Sequence, residues 1–351
     1  MKAAVFSGPG RIAVDDLPVP DVAADDLLVR VRAASICGTD LRIAKHGHFK
    51  LPAGQRRVLG HETAGEVVAV GHRVTGWAEG DRVSITPNVG CGRCPSCRRG
   101  LNNMCPDYDA FGITLDGGFA EYLRVPGFAL GNVFRLPPAV GFREAALVEP
   151  FSCCLRGQEA VRVGRDDVVV IVGAGPIGIF NVLLAKLAGA RKVIVANRST
   201  PRLDAAKAAG ADVLVAGDDD LAEVVHRETG GAGADVVITC VSDPAVQSAA
   251  VDMLGIHGRL NVFAGLGQGG TVPIDTNRVH YKGLTVTGTT GSSNADYEQA
   301  LRLVGDGRVT LAPLVTRTFG LDDITDAMAY AASGAGMKAM VVHGNDQGAD
   351  S

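Results

Sequence analysis

Four of the eight cysteines lie close together, with a spacing that suits metal binding. They are Cys91, Cys94, Cys97 and Cys105, with glycine and proline in the intervals. Four thiolates on a short loop can form a closed tetrahedral shell around zinc, which leaves no coordination position for a substrate. The spacing therefore predicts a structural zinc site. An iron–sulfur cluster and free thiols are the alternatives, because Cys-x2-Cys steps also occur in iron–sulfur proteins.

A glycine-rich segment has the pattern of a dinucleotide-binding turn. The chain reads GAGPIG at residues 173–178, between the β-branched run Val168–Val172 and a helical pattern. In such turns the first glycine permits a tight bend, the second lets the backbone approach a pyrophosphate, and the third allows close helix–strand packing. The phosphates then lie at the positive end of the helix. An ordinary glycine-rich turn is the alternative. The candidate cofactor-binding residues are Gly173, Gly175, Pro176, Ile177 and Gly178.

The end of the next predicted strand indicates which nicotinamide cofactor binds. Enzymes that use NAD place an acidic residue about 20 residues beyond the glycines, where it hydrogen-bonds to the adenosine ribose. Here Asn197 occupies that place, followed by Arg198, Ser199 and Arg202. An uncharged residue beside guanidinium and hydroxyl donors suits a 2′-phosphate. We therefore expect NADP to be favoured, with NAD possible. The alternative is that both arginines are solvated where a helix begins.

A second, looser set of candidate ligands lies nearer the start of the chain. Cys37 is followed by Thr39 and Asp40, and His61 by Glu62. Cys37 and His61 are separated by 23 residues, a spacing that is not specific for a metal. A buried cysteine and a hydrogen-bonded histidine explain it as well, and Thr39 beside Asp40 also suits a helix N-cap.

The elements that position these residues change in character along the chain. Short β-rich segments separated by glycine, proline and aspartate extend to about Val148. After about Val161, strands alternate with alanine-rich helical stretches, which predicts a parallel sheet covered on both faces. The predicted strands are Leu27–Ala33, Gly65–Val70, Asp81–Ile85, Val168–Val172, Lys192–Ala196, Asp212–Val215, Ala234–Cys240, Arg259–Ala264 and Lys338–Val342. The predicted helices are Pro176–Ala188, Asn294–Gly305 and Leu321–Ser333.

Composition limits the class of protein. The chain has 351 residues, enough for two domains, and 46% hydrophobic with 21% charged residues is typical of a folded globular protein. Its 34 basic and 38 acidic residues leave a net charge of −4, without the dense basic cluster of a nucleic-acid surface. No apolar run approaches the roughly 20 residues that span a bilayer, and no signal peptide is recognisable. We expect a cytoplasmic protein without nucleic-acid or membrane partners.

Taken together, the motifs resemble those of the zinc-dependent medium-chain dehydrogenase/reductase superfamily. The resemblance rests on GHE at 60–62, GDRV at 80–83, the four cysteines, GGFAEY at 117–122 and the glycine turn, and it covers essentially the whole chain. It implies an α/β fold with a GroES-like β-rich catalytic domain at 1–149 and 289–351. A doubly wound parallel-sheet Rossmann domain is expected at 150–288, with the active site in the cleft between the two. Homodimers or homotetramers are expected.

The resemblance also implies roles for individual residues. Cys37 and His61 resemble ligands of a catalytic zinc, which would make two zinc ions per chain. Glu62 resembles a third ligand, or a carboxylate that exchanges with water on the metal. Glu149 belongs to a Glu-Pro segment similar to that of sorbitol and other polyol dehydrogenases, which places it near the zinc or its water. It also suits a helix N-terminus, with Pro150 at the first helical position.

The proton relay departs from the family pattern. Thr39 resembles the hydroxyl that passes the alcohol proton outward, but Arg42 stands where the family has a histidine. His46 and His48 are substitutes or ordinary loop residues. Three further cysteines match no ligand position, and we expect them to be small buried apolar residues. They are Cys153, Cys154 and Cys240.

The predicted function is hydride transfer between NAD(P) and a secondary alcohol or ketone of a polyol, sugar or cyclitol. Zinc would lower the pKa of the bound alcohol, and the nicotinamide would accept the hydride. A threonine-like, aminocyclitol or simple-alcohol dehydrogenase is the alternative among enzymes. The alternative outside enzymes is a catalytically silent NADPH-binding protein that keeps only the structural zinc.

Overall fold

The computed structural model describes residues 1–52, 54–217, 219–267 and 269–344. The chain forms two units, and each is described by itself. Met1–Ser152 and the segment that begins at Gly291 make the first unit, and Cys153–Thr290 makes the second. Residues 345–351, the end of the predicted catalytic domain, lie outside the described residues. No helix among the described residues is both long and apolar enough to cross a membrane.

The strands are numbered in chain order. They are β1 (Lys2–Gly8), β2 (Arg11–Asp16), β3 (Leu27–Ser35), β4 (Arg57–Val58), β5 (Glu62–Val70), β6 (Arg82–Ile85), β7 (Asn88–Val89), β8 (Asp109–Ala110), β9 (Tyr122–Val125), β10 (Val133–Arg135), β11 (Val168–Val172), β12 (Lys192–Asn197), β13 (Val213–Ala216), β14 (Ala234–Thr239), β15 (Leu254–Val262), β16 (Thr285–Gly288), β17 (Val315–Phe319) and β18 (Lys338–Val342).

The α-helices are numbered in the same way. They are α1 (Gly38–His46), α2 (Pro95–Arg98), α3 (Phe142–Ala146), α4 (Val148–Ala160), α5 (Pro176–Leu187), α6 (Thr200–Ala208), α7 (Leu221–Glu228), α8 (Pro244–Ala249), α9 (Thr276–Lys282), α10 (Asn294–Gly305) and α11 (Ile324–Ser333). Short 3₁₀ helices cover Asn102–Met104, Gly127–Asn132, Ala250–Met253, Ala312–Leu314 and Leu321–Asp323.

The first unit is built around a mostly antiparallel sheet in the order β10-β6-β5-β3-β18-β17. The long strand β3 pairs with β5 along one edge. Its other edge pairs first with β9 and then, at residues 33–35, with β18. Strands β2, β1 and β4 form a smaller sheet, and β7 pairs with β8. The core between these sheets is apolar, with Phe111 and Phe119 among its fully buried side chains.

The second unit contains six parallel strands in the order β13-β12-β11-β14-β15-β16. Every residue of β11 is buried, which explains its unbroken run of valine and isoleucine. The strand order runs outward in both directions from the β11–β14 pair, as in doubly wound dinucleotide-binding folds. The predicted fold class, a GroES-like β-rich domain plus a doubly wound Rossmann domain, is confirmed.

One strand differs clearly from its predicted range. Strand β15 begins at Leu254, five residues before the predicted start at Arg259. Its pairing with β14 shifts between Ala234 and Val236, and His257 has a φ of +57°. The irregular segment contains two glycines and breaks the alternation of side chains, so the sequence pattern reveals only the second half of the strand.

Candidate functional site

Cys37, His61 and Glu62 come together because β3 and β5 pair with one another. Ser35 at the end of β3 lies opposite Glu62 at the start of β5. Cys37 follows β3 as the N-cap of α1, and His61 directly precedes β5. A ligand atom from each of Cys37, His61 and Glu62 lies within 4.8 Å of the others. One thiol, one imidazole and one carboxylate form a ligand set that suits zinc.

Asp40 supports this cluster from the first turn of α1. Its side chain is fully buried. Oδ1 lies 3.1 Å from Nδ1 of His61 and accepts a hydrogen bond from the Gly60 backbone N–H at 3.3 Å. Oδ2 accepts a hydrogen bond from the Cys37 backbone N–H at 2.9 Å. Because Asp40 engages Nδ1, Nε2 of His61 remains for a metal. Sequence analysis missed this role, although Asp40 stands three residues after a candidate ligand.

Glu62 is held on one side of its carboxylate. Oε2 accepts hydrogen bonds from Ser35 Oγ and from Lys338 Nζ, the latter at 2.5 Å. Oε1 is buried and has no hydrogen-bond partner. Lys338 is 5% exposed and also donates to the Ile36 carbonyl oxygen at 2.9 Å. A buried carboxylate oxygen without a hydrogen-bond partner is available to bind a cation.

The charges around the cluster favour a bound cation. Burial alone would lower the pKa of His61, but the charges of Asp40 and Cys37 outweigh it and raise that pKa well above its usual range. Burial also opposes the charge of Lys338, whereas Glu62, Cys37 and Asp40 raise its pKa. The negative charges that favour the protonated forms of His61 and Lys338 would also attract a metal cation. The residues present therefore fit zinc.

Thr39 and Glu149, the other two predicted catalytic residues, are not part of the cluster of Cys37, His61 and Glu62. Thr39 is the second residue of α1 and is partly buried. It is not the N-cap, because the helix begins one residue earlier and Cys37 takes that position. Glu149 is buried, but it is absent from the cluster of ligand atoms found among the described residues. Helix α4 begins at Val148, so Pro150 is its third residue rather than its first.

The side chains discussed for the outer relay all lie on α1 or just after it. Arg42 and His46 are exposed on the helix. His48 is partly buried, and its Nδ1 accepts a hydrogen bond from the Lys50 backbone N–H at 3.2 Å. Burial, together with the charges of Arg42 and Lys50, lowers the pKa of His48. That any of these residues carries protons to or from the site stays a prediction.

The four remaining candidate ligands form a compact thiol cluster. The sulfurs of Cys91, Cys94, Cys97 and Cys105 all lie within 4.8 Å of one another, and none is in a disulfide. Sγ of Cys94 and Sγ of Cys105 are 3.8 Å apart. Zn–S bonds of about 2.3 Å in a tetrahedron place two sulfurs about 3.8 Å apart. The spacing fits one ion, whereas an iron–sulfur cluster must hold its thiolates around several irons.

Backbone N–H groups around this thiol cluster favour the thiolate form. Those of Arg93 and Cys94 lower the pKa of Cys91 to about 6. The N–H of Cys97 lies 3.4 Å from Sγ of Cys94 and lowers the pKa of that thiol as well. Burial instead raises the pKa of Cys97 to about 12. The thiolate is the form that binds metal, so the surroundings favour that form at Cys91 and Cys94 but not at Cys97.

The glycine turn has the geometry that a pyrophosphate requires. Gly173 directly follows β11 and has a φ of +107°, and a Cβ on Gly178 would lie 1.8 Å from the Gly173 carbonyl oxygen. Around Gly175 the nearest atom to such a Cβ is the end of the Arg202 side chain, at 3.5 Å. Gly175 caps the twelve-residue helix α5 without a side-chain hydrogen bond, and Pro176 and Ile177 begin that helix. Its first N–H groups are therefore available to an anion.

Asn197 ends β12 and closes one side of a cavity next to the turn. Its Oδ1 accepts a hydrogen bond from the Ala174 backbone N–H at 3.1 Å, and its Nδ2 donates to the Ser199 carbonyl oxygen at 3.1 Å. The cavity has a volume of about 200 Å³, and Gly173, Asn197 and exposed Arg198 line it. Two acids, Asp219 and Asp243, line it too, and each accepts hydrogen bonds from backbone N–H groups.

The three cysteines that match no ligand position are not all buried. Cys154 is buried, and its Sγ donates to the Ile177 carbonyl oxygen at 3.6 Å. Cys153 and Cys240 are partly exposed, so the expectation that these cysteines are buried holds for Cys154 alone of the three. Cys240 directly follows Thr239, the last residue of β14.

Comparisons with known proteins agree with this geometry. Residues 23–138 match the alcohol dehydrogenase GroES-like domain, and residues 176–306 match the zinc-binding dehydrogenase domain. Sorbitol dehydrogenase of Bacillus subtilis is 33% identical over 93% of this chain and 92% of its own length. L-threonine 3-dehydrogenase of Pseudoalteromonas atlantica is 32% identical over 92% of this chain and 94% of its own.

The chain is also similar to a solved structure that was determined with a cofactor bound. It comes from Sinorhizobium meliloti 1021, is assigned to the zinc-binding dehydrogenases and was determined bound to NADP. It is 32% identical, with a TM-score of 0.90 over 97% of this chain and 99% of that one. With both domains matched and the relatives aligned over nearly their full length, the chain belongs to the zinc-dependent medium-chain dehydrogenase/reductase superfamily, a family of NAD(P)-dependent oxidoreductases.

Proposed function

We propose that this protein oxidises a secondary alcohol of a polyol, sugar or cyclitol, or reduces the corresponding ketone, with NADP(H) and a catalytic zinc. The observation that carries the proposal is the cluster of Cys37, His61 and Glu62, whose ligand atoms lie within 4.8 Å of one another. A silent NADPH-binding protein would need no such cluster beside a complete four-cysteine site. The proposed content is therefore two zinc ions per chain.

The residues of the cluster divide the work between binding and positioning. Bound zinc would supply a Lewis acid for the alcohol or carbonyl oxygen. Asp40 fixes the ring of His61 through Nδ1 and the start of α1 through the Cys37 backbone N–H. Glu62 offers the carboxylate, and we assign Glu149 a place near the metal or its water. Thr39, on the first turn of α1, is the proposed group that carries the alcohol proton outward.

The NADP preference rests on the end of β12. Asn197 introduces no negative charge, and Arg198 beside it lines the same cavity. The dinucleotide residues proposed are Gly173, Gly175, Pro176, Ile177, Gly178, Asn197, Arg198, Ser199 and Arg202. The NADP-bound relative from Sinorhizobium meliloti supports this preference.

The substrate class rests on the carboxylates of the site. A polyhydroxylated substrate needs hydrogen-bond partners, and a site that bonds a hydroxyl rejects analogues without it. Glu62 and Glu149 are both buried acids, and the similarity to sorbitol dehydrogenase favours the polyol. The similarity to L-threonine 3-dehydrogenases, at nearly the same identity, makes an amino alcohol the second candidate.

One experiment separates these functions. The purified protein is assayed with polyols, cyclitols, L-threonine and simple primary alcohols, each with NADP and with NAD, while zinc per chain is measured. We expect about two zinc ions and the highest kcat/KM for a polyol or cyclitol with NADP. A preference for L-threonine would replace the substrate class, whereas one zinc ion per chain and no turnover would support the silent binder.

Variants of the cluster provide the control. Cys37→Ser and His61→Ala should remove turnover and one zinc ion, while NADP(H) binding stays near that of the wild type, because the dinucleotide residues lie in the second unit. Full activity in either variant would contradict the catalytic zinc.

A further inference from the structure

Lys338 is a buried lysine whose position calls for an explanation. It begins β18 and is 5% exposed, in a chain whose charged residues are mostly at the surface. Its Nζ donates to Oε2 of Glu62 at 2.5 Å and to the Ile36 carbonyl oxygen at 2.9 Å. Both contacts hold it against the end of β3, where the chain leads into Cys37 two residues after Ser35. A buried charge of this kind is retained only with close partners.

The two oxygens of Glu62 have different surroundings. Oε2 is shared by Lys338 Nζ and Ser35 Oγ, while buried Oε1 has no hydrogen-bond partner. With one oxygen held from two directions, the carboxylate cannot rotate to present both oxygens to a neighbour. Lys338 and Ser35 therefore select which oxygen is available.

Charge supplies a second argument. Metal binding requires the thiolate of Cys37, and the carboxylates of Asp40 and Glu62 are buried beside it. Among the residues gathered at the cluster, which do not include Glu149, these three negative charges exceed the two positive charges of a zinc ion by one. Lys338 supplies the missing positive charge, and its Nζ contacts Oε2 of Glu62 rather than the unpartnered Oε1. Leaving such a charge uncompensated inside the protein would be costly.

We infer that Lys338, assisted by Ser35, is a positioning residue that holds Glu62 as a one-oxygen ligand through Oε1 and balances the charge of the metal cluster. The inference rests on the proposed catalytic zinc site. Lys338 acts on the metal through Glu62 and has no part in transferring hydride or proton.

The test follows release of zinc from the holoenzyme to a chromophoric chelator. Two phases are expected, and the four-cysteine site serves as the internal reference. Lys338→Met should accelerate release from the Cys37 site by at least about tenfold, the usual effect of removing a residue that supports a ligand. Lys338→Arg, which keeps the charge, should remain within about threefold of the wild type. Ser35→Ala should also accelerate zinc release from the Cys37 site, but by a smaller factor than Lys338→Met.

A matched control removes a lysine–glutamate pair elsewhere. Lys192 in the second unit contacts Glu228 with Nζ and Oε2 2.9 Å apart. Lys192→Met should lower the melting temperature without changing either release phase. A second measurement replaces the zinc of the Cys37 site with cobalt(II), whose visible spectrum reports the coordination number. A change in protein stability alone does not alter that spectrum. That spectrum should change in Lys338→Met and remain unchanged in Lys192→Met.

The double variant tests whether Lys338 acts through Glu62. In a Glu62→Gln background, Lys338→Met should accelerate zinc release no further. The inference is overturned if Lys338→Met keeps the wild-type release rate and cobalt spectrum. If Lys338→Met does not fold, unchanged release in Ser35→Ala overturns it instead. A wild-type protein with one zinc ion per chain would refute the proposed catalytic site itself, which is a distinguishable result.

Discussion

At the scale of single residues, Asn197 is the side chain that connects the glycine turn to cofactor choice. Its Oδ1 accepts a hydrogen bond from Ala174, inside the turn, so it shapes the turn as well as the cavity. Aspartate has nearly the same shape and can accept the same hydrogen bond. It adds a negative charge and loses the hydrogen bond that Nδ2 donates to the Ser199 carbonyl oxygen, so the affinity for NAD must be measured beside that for NADP to isolate the effect of the 2′-phosphate.

Asn197→Asp should move cofactor preference toward NAD. A carboxylate at the end of β12 would repel the 2′-phosphate and could bind the ribose hydroxyl instead. We expect the ratio of kcat/KM for NADP to that for NAD to fall by about tenfold or more. Arg198→Ala should weaken the binding of NADP more than the binding of NAD. A wild-type enzyme that already prefers NAD would contradict the proposed preference.

His343 should make stability depend on pH. Burial lowers its pKa to about 4, with Glu121 opposing the shift and Arg32 adding to it. Since the unfolded value is about 6.5, the unfolded chain binds the proton more tightly, and stability falls as the pH drops from about 6.5 through 4.

His343→Gln removes that titration. Over this interval the free energy of unfolding of the wild type should fall by about 2 kcal/mol more than that of the variant. Urea unfolding at several pH values measures the difference, and His72→Gln, at an exposed histidine, is the control. Parallel pH profiles for wild type and His343→Gln would refute the assignment.

At the scale of elements, the four-cysteine segment is a loop with little secondary structure of its own. Helix α2 has four residues, and none of them is buried. Asn102 ties the loop to the unit through its Nδ2, which donates to the Asn88 carbonyl oxygen at 2.7 Å and to Asn294 Oδ1 at 2.9 Å. We therefore expect this segment to depend on a bound metal ion for a defined conformation.

Cys97→Ser should therefore lower stability and zinc content together. We expect the loss of one zinc ion per chain and a decrease in melting temperature of about 5 °C or more, with dinucleotide binding retained. Arg98→Ala, at an exposed position of the same helix, should change neither. An unaltered melting temperature after loss of the zinc would show that the ion is not structural.

The elements that the sequence predicts well are those with an unbroken pattern. Val168–Val172 and Asn294–Gly305 have the predicted bounds, because the first is entirely buried and the second has an amphipathic period. The sequence pattern predicts only the second half of strand β15, since the irregular first half lacks alternation of buried and exposed residues.

Motifs in the sequence identify candidate ligands, whereas the residues that support those ligands come from distant segments and have no local signal. Cys37 and His61 follow recognisable motifs, and the structure brings them together. Asp40 carries no signal that distinguishes it from a helix-capping residue. The contact between Lys338 and Glu62 joins residues 276 positions apart, so no local pattern could reveal it.

At the scale of the whole molecule, β16 is one of the two edge strands of the parallel sheet in the second unit, and β13 is the other. Strand β16 pairs only with β15 among the described strands, and Val286 within it is exposed. Ile256 and Tyr281 are 68% and 80% exposed on neighbouring segments. An open edge flanked by apolar side chains favours pairing with a second copy, which a two-fold axis allows.

We therefore predict a homodimer formed through β16. Val286→Lys should shift the protein toward monomer at micromolar concentration, because a charge on an edge strand opposes pairing. Sedimentation velocity measures the shift, and Val19→Lys, at an exposed apolar position of the first unit, is the control. A monomeric wild type, or a Val286→Lys variant with the wild-type assembly, would rule out this interface.

The strand that carries Lys338 is also among the last described segments to be synthesised. At about 5 to 20 residues per second, the 276 residues between Glu62 and Lys338 take about 14 to 55 s to translate. During that interval β3 lacks its neighbour β18, while the contiguous second unit can already complete its sheet. The nascent chain can thus complete the sheet of the second unit before β18 is available to complete the sheet beside the Cys37 cluster.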